Sequence, residues 1–279
     1  MTNLAQIAAA FAALLIADAT ACPAADAKSP PIVVEIESPL ASPHPLQGYL
    51  RQTSSAGPSP AVVLLHSCNG NWGRLDERWG KRIASWGYVT LTVDSFGPRG
   101  LKSCGDDAPV DLAMDAYRAL NFLARAPFVD PARVAVLGFA QGGRVALMSV
   151  EHGAIEQTSP NKFRAAVAFY PPCGRFRGDM TVPTLILIGE RDDLTPAEAC
   201  RDMVNGRDDW GISRQRVEGA PIKLIVYPGA YHAFDAPNLA TPRELSGHHH
   251  EFNQSATDQS IEALHEFLDA TIGRNVQAK

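Results

Sequence analysis

The sequence predicts an α/β fold: a single domain built on a doubly wound, mostly parallel sheet that opens with an antiparallel hairpin. Three observations predict it. Short, continuous apolar runs recur along the 279 residues, as expected of strands buried on both faces. Between them lie stretches with apolar residues at i, i+3 and i+4, the spacing of helices packed on a sheet. One apolar run ends in Gly138-Phe139-Ala140-Gln141-Gly142, whose glycines are spaced as in a sharp strand-to-helix turn.

The elements follow in order. Ile7 to Ala17 is an apolar run too short to span a bilayer and of the right length for an export signal. Ala19-Thr20-Ala21 before Cys22 and Ala25-Asp26-Ala27 before Lys28 offer two cleavage sites, although Met1 to Gln6 lacks Lys and Arg. Residues 1–27 are read as this signal and 28–279 as the domain. Ala19 is a poor start for lipid anchoring at Cys22. Ile32 to Glu37 and Leu46 to Arg51 alternate like a hairpin, with Glu35 and Glu37 facing outward. Strands are expected at Ala61 to His66, Tyr88 to Asp94, Val134 to Leu137, Ala165 to Phe169, Thr184 to Gly189 and Ile222 to Tyr227. Helices are expected at Leu75 to Ser85, Asp111 to Arg125 and Arg144 to Glu151. A last helix starts near Ser255, where Ser255 to Asp258 fits a capping box, with a stripe of Ile261, Leu264, Leu268 and Ile272. Asp130-Pro131 reads as a turn.

Composition narrows the function. A net charge of −5 without a dense basic run excludes a nucleic-acid partner. No membrane span is expected once the signal is removed. After Cys22 come Cys68, Cys104, Cys173 and Cys200, which allow three pairings in an exported protein. Pairing in sequence order, Cys68 with Cys104 and Cys173 with Cys200, is the simplest; four reduced thiols are the alternative. No C-x-x-C spacing occurs, so no metal site is expected, and no cofactor.

In an open parallel sheet, reactive groups gather at the carboxyl ends of the strands. Four such loops carry chemistry here. His66-Ser67-Cys68-Asn69-Gly70 follows the first parallel strand, where Ser67 or Cys68 can supply one backbone N–H of an oxyanion hole; Gln141 supplies the other. Ala140 stands at the elbow. Glu190 to Pro196 holds the acid, and Tyr227-Pro228-Gly229-Ala230-Tyr231-His232 brings a general base. The chain order nucleophile, acid, His is that of α/β-hydrolases.

VVLLHSCNG, the run from Arg78 to Gly100, VAVLGFAQGG, AFYPPCG, LILIGERDDLTPAEAC and YPGAYHAF together resemble the dienelactone hydrolase family of α/β-hydrolases. The resemblance implies a nucleophile–Asp–His triad acting on a small ester or lactone. It selects Asp192, four residues before Pro196, as the acid, with Asp193 as runner-up, and His232 as the base. Family members carry Cys or Ser where this chain has Ala140, and usually Gly where it has Ser67. A methyl group cannot attack a carbonyl. Ala140 is therefore read as an engineered replacement or a natural loss, and the contrasting function is an exported ligand-binding protein without turnover. Attack by Ser67 or Cys68 is the weakest reading, because it would displace the oxyanion loop.

Arg99 is a candidate for binding a substrate carboxylate, following the family, or else closes its own loop. Phe96, Trp72, Tyr170 and Trp210 are candidates to line the site, or else are core. His248-His249-His250 reads as a solvated loop, and Asp106-Asp107 and Asp208-Asp209 as turns or caps.

Overall fold

The computed structural model describes residues 30–37, 46–55, 57–106, 111–207 and 219–273. The expected export signal, Cys22, Asp107, Asp208, Asp209 and Trp210 lie outside the described residues.

Strands β1 (Ile32–Ile36), β2 (Leu46–Arg51), β3 (Ser59–Leu65), β4 (Val89–Asp94), β5 (Val129–Phe139), β6 (Ala165–Phe169), β7 (Thr184–Gly189) and β8 (Ile222–Tyr227) form one sheet. Their order is β1-β2-β4-β3-β5-β6-β7-β8. Strand β2 runs antiparallel to β1 and β4, and the other pairs are parallel. The α/β fold with an antiparallel start is therefore as the apolar runs predict. Burial explains why: β3, β4, β6 and β7 are buried along their whole length, which only a sheet covered on both faces accommodates.

The helical elements are α1 (Trp72–Leu75), a π-helical turn (Asp76–Gly80), α2 (Lys81–Ser85), α3 (Leu112–Ala124), α4 (Gln141–Met148), α5 (Ala154–Gln157), α6 (Ala197–Val204) and α7 (Gln254–Ile272). Asp111 caps α3 by accepting the Met114 N–H at 2.9 Å. Leu264, Leu268 and Ile272 of α7 are buried, while Ile261 is half-buried.

Several boundaries differ from expectation. Asp130-Pro131 does not end a turn before β5 but lies inside the strand. The β3–β5 register shifts between Ser59 and Ala61, and Pro131 sits exposed in that bulge, where its missing N–H costs no ladder bond. The helix expected from Leu75 to Ser85 is broken by the π-helical turn, and α4 starts at Gln141 rather than Arg144. Helix α7 is capped by Asn253, which accepts the Ala256 N–H at 3.0 Å, not by Ser255. The three histidines form strand β10 (His248–His250), paired with β9 (Arg243–Leu245), rather than a solvated loop. His250 is buried because this hairpin lies against His232.

Candidate active site

The parallel register brings the carboxyl ends of the strands level. Leu65 stands opposite Gly138, Phe139 opposite Phe169, Phe169 opposite Leu187, and Gly189 opposite Tyr227. The loops after β3, β5, β6, β7 and β8 therefore emerge at one edge.

At the end of β5 the chain turns sharply. Ala140 adopts φ 50° and ψ −112°, donates its N–H to the Phe169 carbonyl at 2.9 Å, and accepts from Arg144 N–H at 3.0 Å. A non-glycine residue at positive φ costs about 1–3 kcal/mol. The glycines around it are required by crowding. A Cβ on Gly138 would strike the Gly142 carbonyl, and one on Gly142 would strike the Leu65 carbonyl. Helix α4 is thus pressed against the ends of β3 and β5, and the N–H of Gln141, its first residue, has no intrahelical acceptor.

The loops after β7 and β8 bring a carboxylate against an imidazole. His232 Nδ1 lies 2.8 Å from Asp192 Oδ2, and both side chains are buried. Asp192 Oδ1 accepts the N–H groups of Leu194 and Thr195 at 3.1 and 2.7 Å. This leaves Oδ2 for the imidazole, so the Nδ1–H tautomer presents Nε2 as the basic nitrogen. Asp193 is exposed and turned away: it lies 3.7 Å from His248 and accepts the His249 N–H at 3.4 Å. Of the two carboxylates, the structure brings Asp192 to His232.

Around this pair lie residues that sequence reasoning passed over. Thr195 Oγ1 is 2.8 Å from Asp192 Oδ2, 3.1 Å from His232 Nδ1 and 3.1 Å from the Tyr170 carbonyl. Asp192 accepting N–H groups two and three residues on, with Thr at i+3, is an Asx-type turn, a signal the spacing D-x-x-T carries. Asp235 is fully buried and receives Trp79 Nε1 at 2.7 Å, Tyr170 O–H at 2.8 Å and Arg78 Nη2 at 3.0 Å. No local pattern marks it, because its partners are distant in sequence.

The aromatic candidates divide. Tyr170 adopts φ 38°, and its ring meets His232 edge-on at 4.7 Å. Burial, together with Asp235 beside it, holds its phenol well above the usual range. Phe96 is buried against His66, and Trp72 stacks on Tyr49 at 3.3 Å. Arg99 is held by a bidentate pair with Asp115 at 2.6 and 2.8 Å and donates to the Ser95 carbonyl at 2.7 Å. Its guanidinium closes its own loop, the alternative set beside carboxylate binding.

The loop after β3 is fixed from below. His66 Nε2 accepts the Ser95 N–H at 3.2 Å, so Nδ1 carries the proton and donates to the Ser67 carbonyl at 2.8 Å. Burial lowers the His66 pKa and keeps the ring neutral. Cys68 is bonded to Cys104 and Cys173 to Cys200, each with Cα atoms 4.9 Å apart. The first tethers the Ser67-Cys68 loop, and the second joins the loop after β6 to α6. Among the described residues no group of His, Cys, Asp and Glu could hold a metal ion, and no helix is long and apolar enough to cross a membrane.

Comparison with known proteins bears on the family and the fold that carry these residues. Residues 46–272 match the model of the dienelactone hydrolase family. A Yersinia pestis protein named provisionally as a carboxymethylenebutenolidase is 30% identical over 211 residues, covering 64% of this chain and 70% of its own. A solved dienelactone hydrolase-like promiscuous phosphotriesterase from metagenomic libraries superposes with a TM-score of 0.66 at 19% identity, covering 88% of this chain and 100% of its own. A propionate-bound esterase of Thermogutta terrifontis gives a TM-score of 0.63 at 17% identity, covering 88% and 96%. At these identities the two structures speak for the fold.

Proposed function

This chain belongs to the dienelactone hydrolase family, and we propose that its site binds a small carboxylic ester or lactone against the elbow, with Ala140 standing at the nucleophile position. His232 is the base, and Asp192 orients it. The N–H of Gln141, with that of Ser67 or Cys68, forms the oxyanion hole. Trp72 and Phe96 flank the oxyanion loop, and Tyr170 backs the base. Given Ser or Cys at 140, Nε2 of His232 would take the nucleophile's proton and return it to the leaving alcohol. The carbonyl oxygen would carry its transient charge against the two N–H groups. Ala140 has no heteroatom to attack, so no acyl intermediate forms and turnover falls by about a million-fold.

The observation that carries this reading is Ala140 at φ 50° and ψ −112°. The strained elbow persists around a methyl group, at the same sheet edge as an imidazole–carboxylate pair 2.8 Å apart. The same observation favours the second reading, a ligand-binding protein without turnover. Because its two disulfides are of the kind oxidising compartments maintain, we place the protein outside the cytoplasm, with residues 1–27 as a removed signal and 28–279 as one domain.

Ala140→Ser and Ala140→Cys test the assignment on a short aryl ester. One of them should raise kcat/KM about a thousand-fold or more over the parent, the lower range of what a triad supplies. No gain in either would overturn the triad. Hydrolysis by the parent that His232→Ala abolishes would overturn its inactivity. Saturable calorimetric binding of an ester recovered intact would favour the second reading.

A further inference from the structure

We propose that Thr195 is a positioning residue for His232, the meeting point of a closed ring of contacts around the acid–base pair. The proposal rests on His232 being the base of the site described above.

A hydroxyl offers one proton and two lone pairs. Thr195 Oγ1 has three polar neighbours: Asp192 Oδ2 at 2.8 Å, His232 Nδ1 at 3.1 Å and the Tyr170 carbonyl at 3.1 Å. Two of these only accept, so the proton is shared between Asp192 Oδ2 and the Tyr170 carbonyl. A lone pair is then left facing the imidazole. His232 Nδ1–H therefore lies between two acceptors, Asp192 Oδ2 at 2.8 Å and Thr195 Oγ1. Asp192 alone would hold the ring by one bond, about which the imidazole can still rock. The second acceptor fixes the ring plane and hence the direction of Nε2.

Thr195 is itself anchored on both sides. Its N–H donates to Asp192 Oδ1 at 2.7 Å. Its other partner, Tyr170, is held at φ 38° by its N–H to the Leu187 carbonyl at 2.7 Å and its phenol to Asp235 at 2.8 Å. Asp235 lies three residues after His232 on the same loop, which closes the ring. The path runs from His232 along the chain to Asp235, through Tyr170 to Thr195, and back to the imidazole. Tyr170 is also the residue after Phe169, whose carbonyl holds the Ala140 N–H at 2.9 Å. The device therefore ties the direction of the base to the elbow it serves, a task the charge of Asp192 does not perform.

The test uses the full chain labelled with 15N-histidine, with His232 assigned by difference from His232→Gln. The parent should show one sharp set of His232 ring resonances with a protected Nδ1–H. In Thr195→Val, which keeps the shape and removes the hydroxyl, the set should double or broaden and the Nδ1–H should lose its protection from exchange. Thr195→Ser should restore the parent spectrum. Unchanged His232 resonances in Thr195→Val overturn the proposal. If that variant does not fold, Tyr170→Phe carries the test, with broadening expected and an unchanged set overturning. In an Ala140→Ser chain, Thr195→Val should lower kcat about tenfold at unchanged KM. An inactive Ala140→Ser chain would sink the proposed triad, while the resonances would still decide the role of Thr195.

Discussion

The loops after β7 and β8 lie on one side of β6 and the turn after β5 lies on the other, and the two sides are finished differently. On the first side, both Asp192 oxygens are occupied, His232 Nδ1 has its acceptor, and Asp193 is turned outward to the β10 histidines. On the second side, the backbone is held as tightly, with Ala140 at positive φ and its N–H bonded to Phe169, but the side chain is a methyl. The elbow is held by its backbone and glycines, not by the side chain at its tip. Gly138 and Gly142 let α4 approach β3 and β5, and the β5–β6 register supplies the carbonyl that holds Ala140. The geometry can survive the loss of the group it presents.

The largest effect that would sharpen this contrast is at the acid. In an Ala140→Ser chain, Asp192→Asn should lower kcat about ten-thousand-fold, because an amide at Oδ2 selects the wrong imidazole tautomer. Asp193→Asn in the same chain should stay within about threefold, since that exposed carboxylate meets only the β10 histidines and not His232. Equal losses from the two would erase the distinction between the inner and outer carboxylates. Steady-state assay of the two variants decides it.

The next effect concerns stability rather than turnover. Arg99 and Arg118 share Asp115, whose side chain is buried. Arg99→Ala leaves that carboxylate short of two charge-assisted bonds, and denaturant melts should show a loss of about 3 kcal/mol. Calorimetric affinity for an anionic ester should not change. A lost affinity without lost stability would return Arg99 to the substrate.

Much of this is legible in the sequence alone. Strands β6 and β7 match their apolar runs because they are buried along their whole length, and β8 matches its run although it is a half-buried edge strand with Lys223 exposed. Ala140 and His232 stand out because short motifs place them at strand ends, and the family resemblance chose Asp192 over its neighbour. What escaped was set by distant partners. The sequence offers loop closure for Arg99 but not its carboxylate partner, Asp115 on α3, and the burial of His250 depends on a hairpin folding onto His232. Asp235 is meaningless without Trp79 and Tyr170, which no spacing connects to it. The cap of α7 is ambiguous in sequence for a smaller reason: Asn253 and Ser255 both satisfy the local rule, and the extended backbone at Asn253 makes it the cap.

The smallest effect separates the loop after β3, the proposed oxyanion loop, from the Asp192–His232 pair by pH. His66 is held neutral by burial between the Ser95 N–H and the Ser67 carbonyl, and its folded pKa lies below the unfolded value. The sign follows from proton uptake. Well above the unfolded pKa of about 6.5 neither state protonates this ring, and it contributes no pH dependence. Below that, the unfolded chain takes up a proton that the folded chain refuses, so stability falls as pH falls, until the depressed folded pKa is reached. One proton permits a slope of at most about 1.4 kcal/mol per pH unit. Urea melts at pH 7.5, 6.5 and 5.5 should therefore fall more steeply for the parent than for His66→Gln, whose amide can replace both hydrogen bonds without a charge. Parallel slopes would mean that the loop tolerates a charged His66, and that the Ser67-Cys68 backbone is fixed by the Cys68–Cys104 bond instead.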